Sequence, residues 1–198
     1  MLPVRSKYKI AKRLGNAVFE QTQTQKFALS EARSRKPRGR APSDYGRQLI
    51  EKQRVRYTYG LSERQLSNYV FEATKDADPS AALHRSLEMR ADNVMYRAGL
   101  ASTRRASRQG VSHGHVTVNG RRITTPSMVL RVGDKIAIRE GNRTSPLYAG
   151  LAEAEKRAAA SWLSVDYALL TAEVVGLPTY SASEAGLDYS TVFEFYSR

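Results

Sequence analysis

Cysteine is absent from all 198 residues, which excludes disulfide staples, thiol nucleophiles and cysteine-ligated zinc together. Its absence suits a reducing compartment. No apolar run approaches the ~18 consecutive residues that a membrane-crossing helix needs. The opening Met1-Leu2-Pro3-Val4-Arg5-Ser6-Lys7 is basic and broken by Pro3, unlike the apolar stretch of a secretion signal. A cytoplasmic protein with no membrane partner is therefore expected. Also missing are a glycine-rich phosphate loop ending in Lys-Ser or Lys-Thr and a His-Glu-x-x-His zinc motif. His113-Gly114-His115 has no third ligand nearby, and Asp76-Ala77-Asp78 runs into Pro79-Ser80. The first reads as a helix end entering a strand and the second as a linker, so no metal and no cofactor is expected.

Negative charge is scarce as well. Nineteen acidic residues face 32 basic ones, a net charge of +13 and an isoelectric point near 10.1. Such a surplus calls for a polyanion, and nucleic acid is the natural one because phosphate contacts release counterions. Arginine outnumbers lysine 23 to 9; its planar fork grips phosphate in two places and stacks on bases, which suits folded RNA. At 41% hydrophobic, the chain can still build a core. The charge is zoned: residues 1–60 carry +11, residues 61–140 carry +5 and residues 141–198 carry −3. RNA is expected along the first two thirds, and packing or a protein neighbour along the last.

The pattern predicts an α+β protein, with helices first and short strands after them, behind an extended basic N-terminal arm. The arm, residues 1–42, is expected to be weakly structured. A short helical pattern from Arg5 to Leu14 carries Lys7, Lys9, Lys12 and Arg13, and the run Arg33 to Pro42 is too basic and too interrupted by Pro and Gly to pack. Helices follow: one from a Ser43-Asp44 cap to about Tyr59, one from a Ser62 capping box to about Lys75, and one from Pro79 to Met89. On the first of these, Arg47 and Arg54 share one side while Lys52 and Arg56 share another, which suggests RNA on more than one side. Tyr45, Tyr59 and Tyr69 lie among basic residues and serve either the core or RNA. Tyr189 to Tyr196 is apolar at near-helical spacing and is expected to pack back on the body.

From Arg90 the texture changes. Short helices at about 91–98 and 103–113 precede β-branched runs at Val116-Thr117-Val118 and Lys135-Ile136-Ala137-Ile138, with Asn119-Gly120 as a hairpin turn. A helix over 149–161 and a strand at Trp162 to Asp166 are expected next. With Thr103 as cap, Arg104, Arg108 and Ser112 recur every fourth residue, flanked by Arg105 and Gln109. This donor-covered side, with His113, Asn119 and Arg121 beyond it, predicts a grip on phosphates and 2′-hydroxyls. Asp92, beside Arg90, Asn93 and Arg97, reads as an ion pair or cap rather than a catalytic acid. Reversing Arg104 and Arg108 is expected to abolish RNA binding with the fold intact. Deleting residues 1–42 is expected to weaken binding without unfolding the body.

Residues Arg90-Ala91-Asp92-Asn93 through Arg97, Thr103-Arg104 through Gln109, and Ser112-His113-Gly114 through Gly120 resemble a small RNA-binding module. That module occurs in a bacterial ribosomal protein, in pseudouridine synthases, in tyrosyl-tRNA synthetases and in a heat-shock factor, so by itself it leaves an RNA-modifying enzyme or a stress factor open. Ser43 through Gly60, with Glu63-Arg64-Gln65 and Asn68-Tyr69, is similar to bacterial small-subunit ribosomal protein four, as is the ending Val192 to Arg198. The resemblance implies a mainly helical domain, residues 43–90 completed by 186–198, with a small α/β RNA-binding module and its extension, residues 91–185, inserted in it. It implies a non-enzymatic, ribosome-bound protein that binds the 5′ domain of small-subunit ribosomal RNA at a helical junction and nucleates assembly. It also implies contact with messenger RNA where messenger enters, carried by Arg35, Lys36, Arg38 and Arg40, and contact with the fifth small-subunit protein at an interface that influences accuracy. The chain departs from the family in the missing cysteines, in Ala91 where Leu is usual, and in Gly110, where an apolar residue is usual.

Overall fold

The computed structural model describes Val4 and residues 6–33, 43–151, 159–181 and 186–197. The chain divides into two compact units, Met1–Leu83 with Tyr180–Arg198, and His84–Thr179.

In the first unit, α1 (Lys7–Leu14) starts after Ser6 and stops at Gly15, followed by 3₁₀ turns at Asn16–Val18 and Glu20–Thr22 and by α2 (Gln25–Arg33). An extended arm is not what the described part of residues 1–42 forms. Ala11, Leu14, Val18, Phe19 and Phe27 close into a small core against Ile50 and Tyr57. Too little apolar area to stand alone finds cover on a neighbouring helix. Residues 34–42, including Arg35, Lys36, Arg38 and Arg40, lie outside the described residues, as does Arg5.

Ser43 caps α3 (Asp44–Thr58) by accepting from the Gly46 amide at 3.2 Å. The Ser62–Gln65 capping box opens α4 (Glu63–Ala73), with both reciprocal bonds present at 3.2 and 3.1 Å. α5 (Pro79–Glu88) follows and straddles the boundary between the units. The last helix of the chain, Tyr189–Tyr196, starts from an Asp188 cap and packs on α3 and α4. Tyr189 and Val192 are fully buried there, and the Tyr59 and Tyr189 hydroxyls meet at 3.1 Å.

The second unit begins with α6 (Ala91–Arg97) and α7 (Arg104–Ser112), the latter capped by Thr103. Next come β1 (Val116–Val118), β2 (Arg121–Ile123), β3 (Lys135–Ile138), the short α8 (Glu140–Arg143), β4 (Leu163–Asp166) and β5 (Thr171–Val174). The terminal helix Tyr189–Tyr196 is accordingly α9. The strands form one antiparallel sheet in the order β2-β1-β3-β5-β4. Its register places Val116, Val118, Ile136, Ile138, Ala172 and Val174 on one face, where they join Val94, Met95, Leu100 and Val111 in the core. The hairpin turn at Asn119-Gly120 has φ of 49° and 79°, as that sequence predicts. The helix expected over 149–161 is not formed at its described ends: 149–151 is a 3₁₀ turn, 159–160 is irregular, and 152–158 lie outside the described residues.

Candidate nucleic-acid interface

Four of the candidate contacts turn inward. Arg90 is 1% exposed and clasps Asp92 through Nε and Nη2 at 3.0 and 2.9 Å. Buried Asn93 donates to the Leu87 carbonyl at 2.6 Å and accepts from Arg104 Nε at 3.0 Å. Lys52 lies 4.2 Å from the centre of the Phe195 ring and pairs with Glu63 at 2.7 Å, so it clamps α9 rather than facing solvent. Tyr59 is buried against Tyr189. The Arg90–Asp92 pair is the ion pair expected from their adjacency, whereas spacing could not show the burial of Lys52 and Tyr59, whose partners sit on other elements.

The remaining cations of α3 are also tied down. Arg47 pairs with Asp44, Arg54 with Glu51 at 2.6 Å, and Arg56 with Glu63 at 3.6 Å and Gln53 at 3.3 Å. Glu63 sits below its ordinary pKa: burial would raise it, but hydrogen bonds from Lys52 and Tyr196 and the charges of Lys52 and Arg56 prevail. Of the candidate contacts on this unit, Lys9, Lys12, Arg13, Tyr45, Arg47, Arg64 and Asn68 are exposed, with Lys7 and Tyr69 half-buried.

In the second unit the donor side of α7 is partly internal. Arg104 lies 4.3 Å above the Tyr96 ring and 3.8 Å from Glu88, and Arg108 lies 3.8 Å from Asp92. Arg97 grips Glu88 through Nε and Nη2 at 2.7 and 2.8 Å. Two buried carboxylates, Glu88 and Asp92, thus organise Arg90, Arg97, Arg104 and Arg108. Ser107 adds a hydrogen bond to the Asp92 carbonyl. The expectation that Arg104 and Arg108 can be reversed with the fold intact gives way here, since new carboxylates would face buried ones.

The open edge lies at the end of α7. Gln109, Ser112 and His113 are exposed there, with Thr103 and Arg105 half-buried further back. Beyond the turn, Arg121 and Arg122 are exposed on β2. Arg122 is a residue the sequence reading passed over: its Nη2 donates to the His113 carbonyl at 3.2 Å and satisfies the end of α7. A Cβ at Gly114 would run into that guanidinium, and Gly114 has φ of +72°, so the glycine serves both the backbone and the arginine. The adjacent pair Arg121-Arg122 after the hairpin was the available signal. Asn119 staples the hairpin to β3, donating to Asp134 at 2.8 Å and accepting from the Lys135 amide at 2.9 Å. Gly110 has a packing reason, since a Cβ there would come within 2.7 Å of the Tyr148 hydroxyl. That hydroxyl lies 3.1 Å from His115 Nδ1. Among the described residues no cluster of acidic or histidine side chains is suited to a metal, and no helix is long and apolar enough to cross a membrane.

Comparison with known proteins matches residues 4–89 to the ribosomal protein S4/S9 N-terminal domain and residues 89–136 to the S4 domain. Small ribosomal subunit protein uS4 of Roseiflexus castenholzii is 44% identical over 165 residues, covering 81% of this chain and 80% of the relative. The Thermus thermophilus protein of the same name is 44% identical over 163 residues, covering 81% and 78%. The Chloroflexus aurantiacus protein is 37% identical over 201 residues, covering 96% of each. With both domains matched in order and relatives aligned along most of its length, the chain belongs to the small ribosomal subunit protein uS4 family, whose members are structural proteins and not enzymes.

Proposed function

We propose that this chain binds small-subunit ribosomal RNA at a helical junction of the 5′ domain, nucleates subunit assembly and stays ribosome-bound in the cytoplasm. The observation that carries the reading is the tandem of the two family domains in one chain. The exposed edge formed by Gln109, Ser112, His113 and Arg122 supports it, because shape and 2′-hydroxyls are read by such clustered donors. Three segments share the work: residues 1–42, residues 43–90 with 186–198, and residues 91–185. Arg35, Lys36, Arg38 and Arg40 carry the messenger-facing part of the proposal, with a neighbouring protein, the fifth of the small subunit, beside it and an influence on decoding accuracy.

Sedimentation of a cell lysate on a sucrose gradient at moderate and then high salt tests the assignment. Stoichiometric co-migration with small subunits that persists at high salt is expected. Migration at the top of the gradient would sink the reading. Replacing Arg35, Lys36, Arg38 and Arg40 by Ala is expected to slow translation of structured messengers and spare unstructured ones; equal slowing of both would remove the messenger part.

A further inference from the structure

Glu88 poses a problem for any account based on charge alone. An acidic residue among arginines that serve RNA cancels positive charge and lowers the counterion release that drives binding. Its own side chain is 1% exposed, so it cannot itself meet solvent or RNA. Yet Arg97, which it holds, keeps 35% of its side chain exposed. The grip uses both Nε and Nη2 and so fixes the plane of the guanidinium. The same carboxylate lies 3.8 Å from Arg104, whose guanidinium is further oriented by Asn93 and by the Tyr96 ring.

An arginine held along one edge meets a phosphate or 2′-hydroxyl with its orientation already set, and loses less rotamer freedom on binding than a free one. We propose that Glu88 is a positioning residue for RNA recognition: it holds Arg97 in a single orientation at the surface of the module, so that removing a negative charge there weakens RNA binding. The proposal rests on the RNA-binding reading above.

Charge counting and positioning predict opposite signs for Glu88→Gln. Full-length wild type, Glu88→Gln and Arg97→Lys are each bound to an in vitro transcript of the 5′ domain of small-subunit ribosomal RNA by filter binding at several salt concentrations. Binding is measured well below each protein's melting midpoint, with circular dichroism as the fold control. Glu88→Gln is expected to bind about tenfold more weakly although its net charge is higher by one, and Arg97→Lys to lose a similar factor although its charge is unchanged. Equal or tighter binding by folded Glu88→Gln, or unchanged binding by Arg97→Lys, overturns the positioning role while wild-type binding keeps the RNA reading. Should Glu88→Gln fail to fold, Arg97→Lys decides, because it keeps both the charge and the buried carboxylate. Absence of wild-type binding overturns the RNA reading and the positioning role with it.

Discussion

Burial alone would raise the Glu88 carboxyl, but the hydrogen bond from Arg97 and the charges of Arg97, Arg104 and His84 overcome it and bring it to about 2 from an ordinary 4.5. A carboxylate with a depressed pKa in the fold contributes stability above its ordinary value and loses it as pH falls through the folded one. Glu88 therefore accounts for on the order of 3 kcal/mol that disappears between about pH 5 and pH 2. His84 acts in the same direction from higher pH: burial first, then Arg97 and Arg104 against the pull of Glu88, lower it from 6.5. In an acid titration followed by circular dichroism, Glu88→Gln is expected to start less stable and show a flatter acid limb. Superimposable limbs would remove Glu88 from the stability account. At the α7–β1 turn, Gly114→Ala is expected to cost more than Gly120→Ala. Both carry the left-handed backbone penalty of about 1–2 kcal/mol, but only the first meets a guanidinium, and nothing lies within 4 Å of a Cβ at Gly120. Equal melting midpoints for the two variants would show that Arg122 yields freely.

At the scale of elements, what could be read from sequence was what neighbours in the chain decide. The Ser62–Gln65 box, the Thr103 cap and the Asn119-Gly120 hairpin each depend on residues within a few positions, and each forms. Lys52 looked like a surface cation because its aromatic partners lie 143 and 144 positions away, on α9. β5 went unread because Thr171–Val174 is short and finds its place only by pairing with β3 and β4. The helix ending at Leu14 was legible, but the packing of residues 6–33 was not, since their few apolar side chains suffice only with Ile50 and Tyr57 of α3 as a floor. Deleting residues 1–42 is accordingly expected to lower the urea midpoint of the body, not merely to weaken RNA binding; an unchanged midpoint would restore the free arm. Tyr189→Ala is expected to cost about 3–5 kcal/mol, because it empties a fully buried site and removes a buried hydroxyl–hydroxyl contact with Tyr59. A loss below about 1 kcal/mol in equilibrium unfolding would show that α9 merely rests on α3.

For the whole molecule, the zoning of charge sets the character of RNA binding. With +13 overall and −3 in residues 141–198, affinity for ribosomal RNA is expected to fall steeply with salt, roughly a thousandfold or more from about 50 to about 200 mM if six or more phosphates are neutralised. A shallow slope in filter binding would mean that few of the exposed cations touch phosphate. One feature of the architecture also bears on how the protein is born. The second unit is continuous in the chain, whereas α3 needs α9, which is synthesised only after all of that unit. At about 5–20 residues per second, α3 waits roughly 10 s for its partner. The second unit can fold as it emerges, while the first stays open, with the sites for Tyr189 and Val192 uncovered, until α9 has been made. Newly made chains thus pass through a stage in which one half is mature and the other exposes apolar surface, the half where a chaperone would bind.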